Sequence, residues 1–140
     1  MVAHMGAVQF VWPCNIDATV EVVNTQSNRM CVLRVYNDLN SLLFINVYMP
    51  CESSDVACDE FCTVLAQVKS IVEQYSESEL IFGGDFNVDF DRVSTHSDIL
   101  NQFCTVNNIF PVDRHELSNV DYTYNFCMQR FSNISSRNIQ

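Results

Sequence analysis

The segment Leu42–Tyr48, Leu-Leu-Phe-Ile-Asn-Val-Tyr, constrains the fold more than any other stretch of the chain. Its β-branched and aromatic residues, its short length and the turn residues around it read as a strand. Successive side chains of a strand point to opposite faces, and here both faces are largely apolar. Such a strand is an interior strand, with a layer packed on each side. A chain of 140 residues, 48% of them apolar, can supply those layers, because a single domain of that length buries roughly two thirds of its unfolded surface.

The flanking sequence extends this into a sheet. Gly6–Trp12 reads as a strand stopped by Pro13, and Ala18–Val23 as another, closed by Asn-Thr-Gln-Ser-Asn. Arg29–Tyr36 reads as a strand, and it and Leu42–Tyr48 flank the turn-like Asn37–Asn40. With three Gly and three Pro, the turns must rely on Asn, Asp and Ser. The period then changes. Val56, Phe61, Val64, Leu65, Val68, Ile71, Val72 and Tyr75 recur every three or four residues, one stripe of a helix over roughly Asp55–Tyr75. A short apolar run, Glu79–Asn87, predicts a strand that stops at Gly83-Gly84. A second helix starts at Ser94 or Thr95, with Ile99, Leu100, Phe103 and Val106 on one face. Asn108–Asp113 and Asp121–Phe126 read as short extended segments. The order predicts a layered α+β fold, sheets central and helices outside.

Charge and cysteine content narrow the function. Seven Lys and Arg against seventeen Asp and Glu give a net charge of −10. That argues against a free-standing nucleic-acid binder, whose phosphate affinity comes from basic residues. It is compatible with carboxylates gathered around a divalent metal. Seven Cys, with no C-x-x-C pair, suit neither a closed disulfide framework nor a zinc ribbon. Cys58 and Cys62 share a helix face and read as small apolar residues. No signal peptide and no apolar run of membrane-spanning length is visible, so the expected location is intracellular, nuclear or cytoplasmic, with no membrane partner.

Leu80–Asp91, Leu-Ile-Phe-Gly-Gly-Asp-Phe-Asn-Val-Asp-Phe-Asp, carries the chemistry. The glycines allow backbone to approach closely. Asp85 and Asn87, two apart on extended chain, share a face. A carboxylate beside a carboxamide can take a proton from water and hold a developing anionic oxygen. Asp85, Asn87, Asp89 and Asp91 also mimic the opening of an EF-hand loop, but Phe90 and His96 stand where that loop needs Gly and Glu. A capped acidic turn without chemistry is the plain alternative. His4, His96 and His115 read as ordinary surface or satisfied residues.

Three motifs in order, Ile45–Pro50 (Ile-Asn-Val-Tyr-Met-Pro), Ile81–Asn87 (Ile-Phe-Gly-Gly-Asp-Phe-Asn) and Asp121–Tyr124 (Asp-Tyr-Thr-Tyr), with a helix between the first two, resemble the endonuclease/exonuclease/phosphatase superfamily. Within it they are most similar to the endonuclease domains of LINE-type non-LTR retrotransposons, over about residues 6–134. The resemblance implies a deoxyribonuclease I-like, four-layer α/β/β/α sandwich with two central, mostly antiparallel sheets. It implies hydrolysis of phosphodiesters in DNA with Mg²⁺ or Mn²⁺ and no small-molecule cofactor. By that resemblance Tyr48 hydrogen-bonds the scissile phosphate, Asp85 orients or activates the attacking water, and Asn87 steadies the transition state. Asn46 supports the site or satisfies buried backbone, and Thr123 and Tyr124 approach the nucleic-acid backbone. Taken alone, Tyr48 reads rather as a strand aromatic packed in a sheet.

The same resemblance leaves gaps. No residue here matches the superfamily's metal-binding Glu, and Arg130–Ile134 leads toward an Asp-His pair that does not follow. The metal ligands are thus unassigned. The 140 residues are expected to be one partial domain, truncated at both ends, of a parent roughly 220 residues long on the usual one-domain scale. As an isolated piece it is expected to be inactive, because residues that act as a catalytic unit fail together. A non-catalytic retrotransposon remnant and a recruited nucleic-acid or protein binding module are the alternatives. The net charge of −10 weighs against the module.

Overall fold

The computed structural model describes residues 1–5, 8–52, 55–89, 92–111 and 125–130. It opens with a hairpin, β1 (Val2–Met5) and β2 (Val8–Val11), which pairs only with itself. Then come β3 (Thr19–Val23), β4 (Met30–Tyr36), β5 (Ser41–Tyr48), α1 (Asp55–Gln74), β6 (Glu79–Asp85), α2 (Thr95–Asn107), β7 (Phe110–Pro111) and β8 (Asn125–Arg130). The last six strands form one sheet in the order β3-β4-β5-β6-β8-β7. Among the described strands only β5 and β6 run parallel, joined by the α1 crossover.

The strand expected to be interior is interior. Leu43, Ile45 and Val47 of β5 lie buried in one cluster with Leu80 and Phe82 of β6. Phe61, Val64, Leu65 and Val68 of α1, with Leu100 and Cys104 of α2, complete that cluster. Both helices therefore cover the same face. On the opposite face Cys31 and Leu33 of β4 pack with Phe10, Trp12, Val20 and Phe44. Phe10 meets Phe44 edge-on at 6.3 Å, so the hairpin roofs this second face. Burial pushes the Cys104 thiol up to about 12, which keeps it a small neutral hydrophobe.

Four sequence-based expectations need correction. The first strand is half of a hairpin, because Val2–Met5 pairs along its length with β2. The double glycine does not stop β6, which runs through Gly83-Gly84 to Asp85. Val56 and Val106 carry the helical period but are 75% and 67% exposed, each near a helix end. His96 is neither a surface residue nor a satisfied one. It is 1% exposed, stacked on Phe61 with ring centroids 4.3 Å apart, and neither ring nitrogen has a hydrogen-bond partner among the described residues.

The turn chemistry is as composition requires. Asn37 Oδ1 accepts the backbone N–H groups of Leu39 and Asn40. Asn24, Thr25 and Ser27 each accept from the residue two ahead, which builds the turn before β4. Asn108 caps α2 in the left-handed region, a position more often given to glycine.

Candidate functional site

Register places the site. In the parallel β5–β6 pair, Asn46 sits opposite Gly83 and Tyr48 opposite Asp85. Val47, Leu80 and Phe82 point toward the helices. By alternation Asn46, Tyr48 and Asp85 belong to the other face, at the C-terminal ends of the two strands. Tyr48 is 39% exposed, so it is not the buried strand aromatic that its type alone would suggest.

Glycine is required for this closeness. A Cβ on Gly84 would lie 2.0 Å from the Val47 carbonyl oxygen and 2.8 Å from Asn46 Oδ1. Its φ of +133° is also one that L side chains rarely adopt. The chain then folds back. Asn87 takes a left-handed φ of +48°, tolerated because its short polar side chain bonds locally. Its N–H donates to Asp85 Oδ1 at 3.0 Å, and its Nδ2 donates to the Met49 carbonyl at 2.7 Å. Met49 N–H in turn donates to the Asp85 carbonyl at 2.8 Å. The loop after β5 and the loop after β6 are thereby stitched together around Asp85.

This arrangement sets Asp85 opposite Tyr48 in the ladder and folds Asn87 back onto Asp85. Asp85 keeps its second carboxylate oxygen for a water or a donor, and the Asn87 amide carries two hydrogens, one of them spent on Met49. Asn46 stands one step further in and donates to the Gln9 carbonyl of β2 at 3.4 Å, tying the hairpin to the sheet. Thr123 and Tyr124 lie outside the described residues.

Sequence reasoning missed two neighbours. Arg29 donates from Nε to Glu60 at 2.6 Å and from Nη1 to the Tyr48 carbonyl at 3.4 Å, and its guanidinium carbon lies 6.0 Å from the Tyr48 ring centre. Arg29 and Glu60 are 31 residues apart, and no local pattern links them. Glu52, three residues beyond Met49, accepts the Thr95 N–H at 3.1 Å at the start of α2. Desolvation pushes its carboxyl up. The Ser94 hydroxyl, the His96 and Thr95 backbone groups and the proximity of His96 outweigh that, and together hold it below the ordinary carboxylate value.

Among the described residues no three His, Cys, Asp or Glu side chains gather to hold a metal. A Mg²⁺ ion takes six oxygens, usually from one or two carboxylates, waters and substrate phosphate. Asp85 with amide and phenol neighbours does not make such a site by itself.

The fold has known counterparts. The endonuclease domain of TRAS1, a telomere-specific non-LTR retrotransposon, superposes with a TM-score of 0.70 at 14% identity, covering 92% of this chain and 66% of that one. The human Nocturnin catalytic domain, solved with a bound sulfate anion, gives 0.54 at 12% identity, covering 79% of this chain and 48% of that one. Both have the endonuclease/exonuclease/phosphatase fold, and it is the fold of this chain. The chain thus spans less than two thirds of either structure. No family profile and no curated protein matches it. No described helix is long and apolar enough to cross a membrane.

Proposed function

We propose that these residues are the central part of a phosphodiesterase of the endonuclease/exonuclease/phosphatase type, akin to a retrotransposon endonuclease and acting on DNA. The observation that carries this is the register that sets Tyr48 beside Asp85, with Asn87 folded back onto both loops. In this reading the Tyr48 hydroxyl donates to a non-bridging oxygen of the scissile phosphate. Asp85 accepts a hydrogen from the attacking water and aims its lone pair at phosphorus. The remaining Asn87 amide hydrogen meets the charge that grows on the phosphoryl oxygens. Asn46 braces the end of β5, and Thr123 and Tyr124 meet the flanking nucleic-acid backbone.

Mg²⁺ or Mn²⁺ belongs to this chemistry by resemblance, but the described donor set does not fit the ion, and no step above passes through it. The four-layer sandwich belongs to the same proposal. It is supported by the helices packed on one face of the six-stranded sheet and the hairpin packed on the other.

Plasmid nicking with Mg²⁺ or Mn²⁺ tests the reading, on the 140-residue chain and on the reading frame extended at both ends. The extended protein should nick, and the 140-residue chain should not. Asp85→Ala in the extended protein should lower the rate by about 10²-fold or more, the usual weight of a positioned acid–base group. Asp85→Ala with undiminished nicking would overturn the assignment. Nicking by the 140-residue chain would overturn its inactivity. An extended protein that binds DNA without cutting it is the recruited module instead.

A further inference from the structure

The chain's charge poses a problem that one corner of the fold answers. A surface carrying a net −10 repels phosphate unless cations are placed where the phosphate must lie. Beside Tyr48, the turn before β4 and the first half of α1 enclose an open cleft. Gln26, Ser27, Asn28, Thr63 and Gln67 line it with amides and hydroxyls, and Arg29 stands at the Tyr48 end. The turn is built rather than loose. Gln26 holds a left-handed φ of +54°, and side-chain oxygens of Asn24, Thr25 and Ser27 receive the N–H groups of Gln26, Ser27 and Arg29.

Arg29 is fixed from two sides. Tyr48 N–H donates to the Arg29 carbonyl at 2.8 Å, and Arg29 Nη1 returns a bond to the Tyr48 carbonyl. Glu60 of α1 occupies Nε at 2.6 Å. The Arg29 side chain is 27% exposed and that of Glu60 47%, so an incoming anion can reach the pair from solvent. A guanidinium has five donors in a planar fork that matches phosphate geometry. A partly exposed ion pair is worth little by itself, so exchanging Glu60 for a phosphate costs little. Among the other described cations, Arg92 is exposed in the loop between β6 and α2. Arg34 is taken up by Ser41, Tyr36 and Tyr75 at the far end of the sheet, and Lys69 lies on α1 beside Glu73.

We propose that the cleft between the turn before β4 and α1 is a subsite for a nucleic-acid phosphate next to the scissile one, with Arg29 as its cation and Glu60 as the resident anion it displaces. The proposal rests on the phosphodiesterase reading of Tyr48, but it concerns binding and needs no turnover. Glu60 then sets affinity from below: it keeps Arg29 in place in the free protein and competes with the phosphate for it.

Fluorescence anisotropy of a labelled oligonucleotide on the 140-residue chain, over a salt series, reads the subsite without cleavage. Arg29→Ala should weaken binding several-fold at low salt and reduce the slope of log affinity against log salt by about one. Arg29→Lys should restore the slope but only part of the affinity, because a point charge replaces the fork. Glu60→Gln should tighten binding several-fold, with circular dichroism confirming that each variant is folded. A merely structural Arg29–Glu60 pair predicts the opposite for Glu60→Gln: looser binding or none gained. That result, or an unchanged salt slope in Arg29→Ala, overturns the subsite. Inorganic phosphate that binds with the same dependence on Arg29 and Glu60, while the oligonucleotide does not bind, overturns the nucleic-acid assignment. Loss of the subsite effects with Asp85-dependent nicking intact sinks this proposal alone, whereas their persistence without Asp85-dependent nicking sinks only the phosphodiesterase reading.

Discussion

The two faces of the central strand pair differ in what holds them. Toward the helices, Leu43, Ile45, Val47, Leu80 and Phe82 are at most 1% exposed, and apolar packing does the work. Toward the other side, Asn46, Tyr48, Gly83 and Asp85 end in polar groups and close backbone approach. The comparison teaches that strand alternation, with a shift of one residue, separates core from chemistry. Stability should therefore be dominated by the helix-covered face and activity by the other.

The strongest way to break this contrast is to remove packing from the first face. Phe82 is fully buried and meets the rings of Phe86 and Phe103 edge-on. Phe82→Ala should cost about 3–5 kcal/mol in urea unfolding. Tyr48→Phe, on the polar face, should stay within about 0.5 kcal/mol. Equal costs would show that the faces are not divided in this way.

Gly84 sits between the two faces and tests their junction. Its neighbours at 2.0 and 2.6 Å are Val47 backbone atoms, which cannot swing aside. Gly84→Ala should cost more than about 2 kcal/mol, since a strained φ alone costs about 1–3. Hydrogen exchange should show the loss first in the β5–β6 ladder. Unchanged protection there would mean that the strands can separate without harm.

His96 sharpens the comparison from the core side. It is a polar group on the apolar face, with two unpartnered ring nitrogens. Removing a buried group that makes no hydrogen bond recovers its desolvation cost. His96→Leu should therefore stabilise the protein by about 1 kcal/mol, read as a raised Tm. Destabilisation would mean that the stacking on Phe61 outweighs the unmet nitrogens.

The smallest effect belongs to Glu52, which is exposed. Its carboxyl is held below the ordinary value of 4.5. A lowered folded value means that its contribution is complete above the unfolded value and is lost as pH falls through the folded one. Exchange of the Thr95 amide should thus be flat at neutral pH and accelerate beyond its intrinsic trend only below the ordinary carboxylate range. In Glu52→Gln that acid-dependent step should vanish. A step that survives the substitution would place the titrating group elsewhere.

Much of this was legible in the chain. The strands Thr19–Val23, Met30–Tyr36 and Ser41–Tyr48 and the helix Asp55–Gln74 lie within a residue or so of what periodicity predicts. Long apolar repeats leave few alternatives when burial drives folding. The pairing of Val2–Met5 was not legible, because its partner β2 supplies what its own sequence does not declare. The run of β6 through two glycines was misread for a related reason. Local propensity disfavours glycine in a strand, but the close approach of β5 requires it at Gly84. Within the site, Asp85 and Asn87 could be found by their spacing. Asn87's bond to Met49, 38 residues away, could not.

The sequence by itself determined the alternation that puts Tyr48 and Asn46 on one face and Val47 on the other, and the residue types that make Asp85 and Asn87 useful. Those follow from side-chain period and chemistry, which are local. Only the tertiary structure decided that Asp85 stands beside Tyr48, that Arg29 is shared between Tyr48 and Glu60, and that His96 is buried with no hydrogen-bond partner for its ring nitrogens among the described residues. These depend on strand register and on which helix face meets the sheet, quantities set by the packing of the whole core rather than by any one segment.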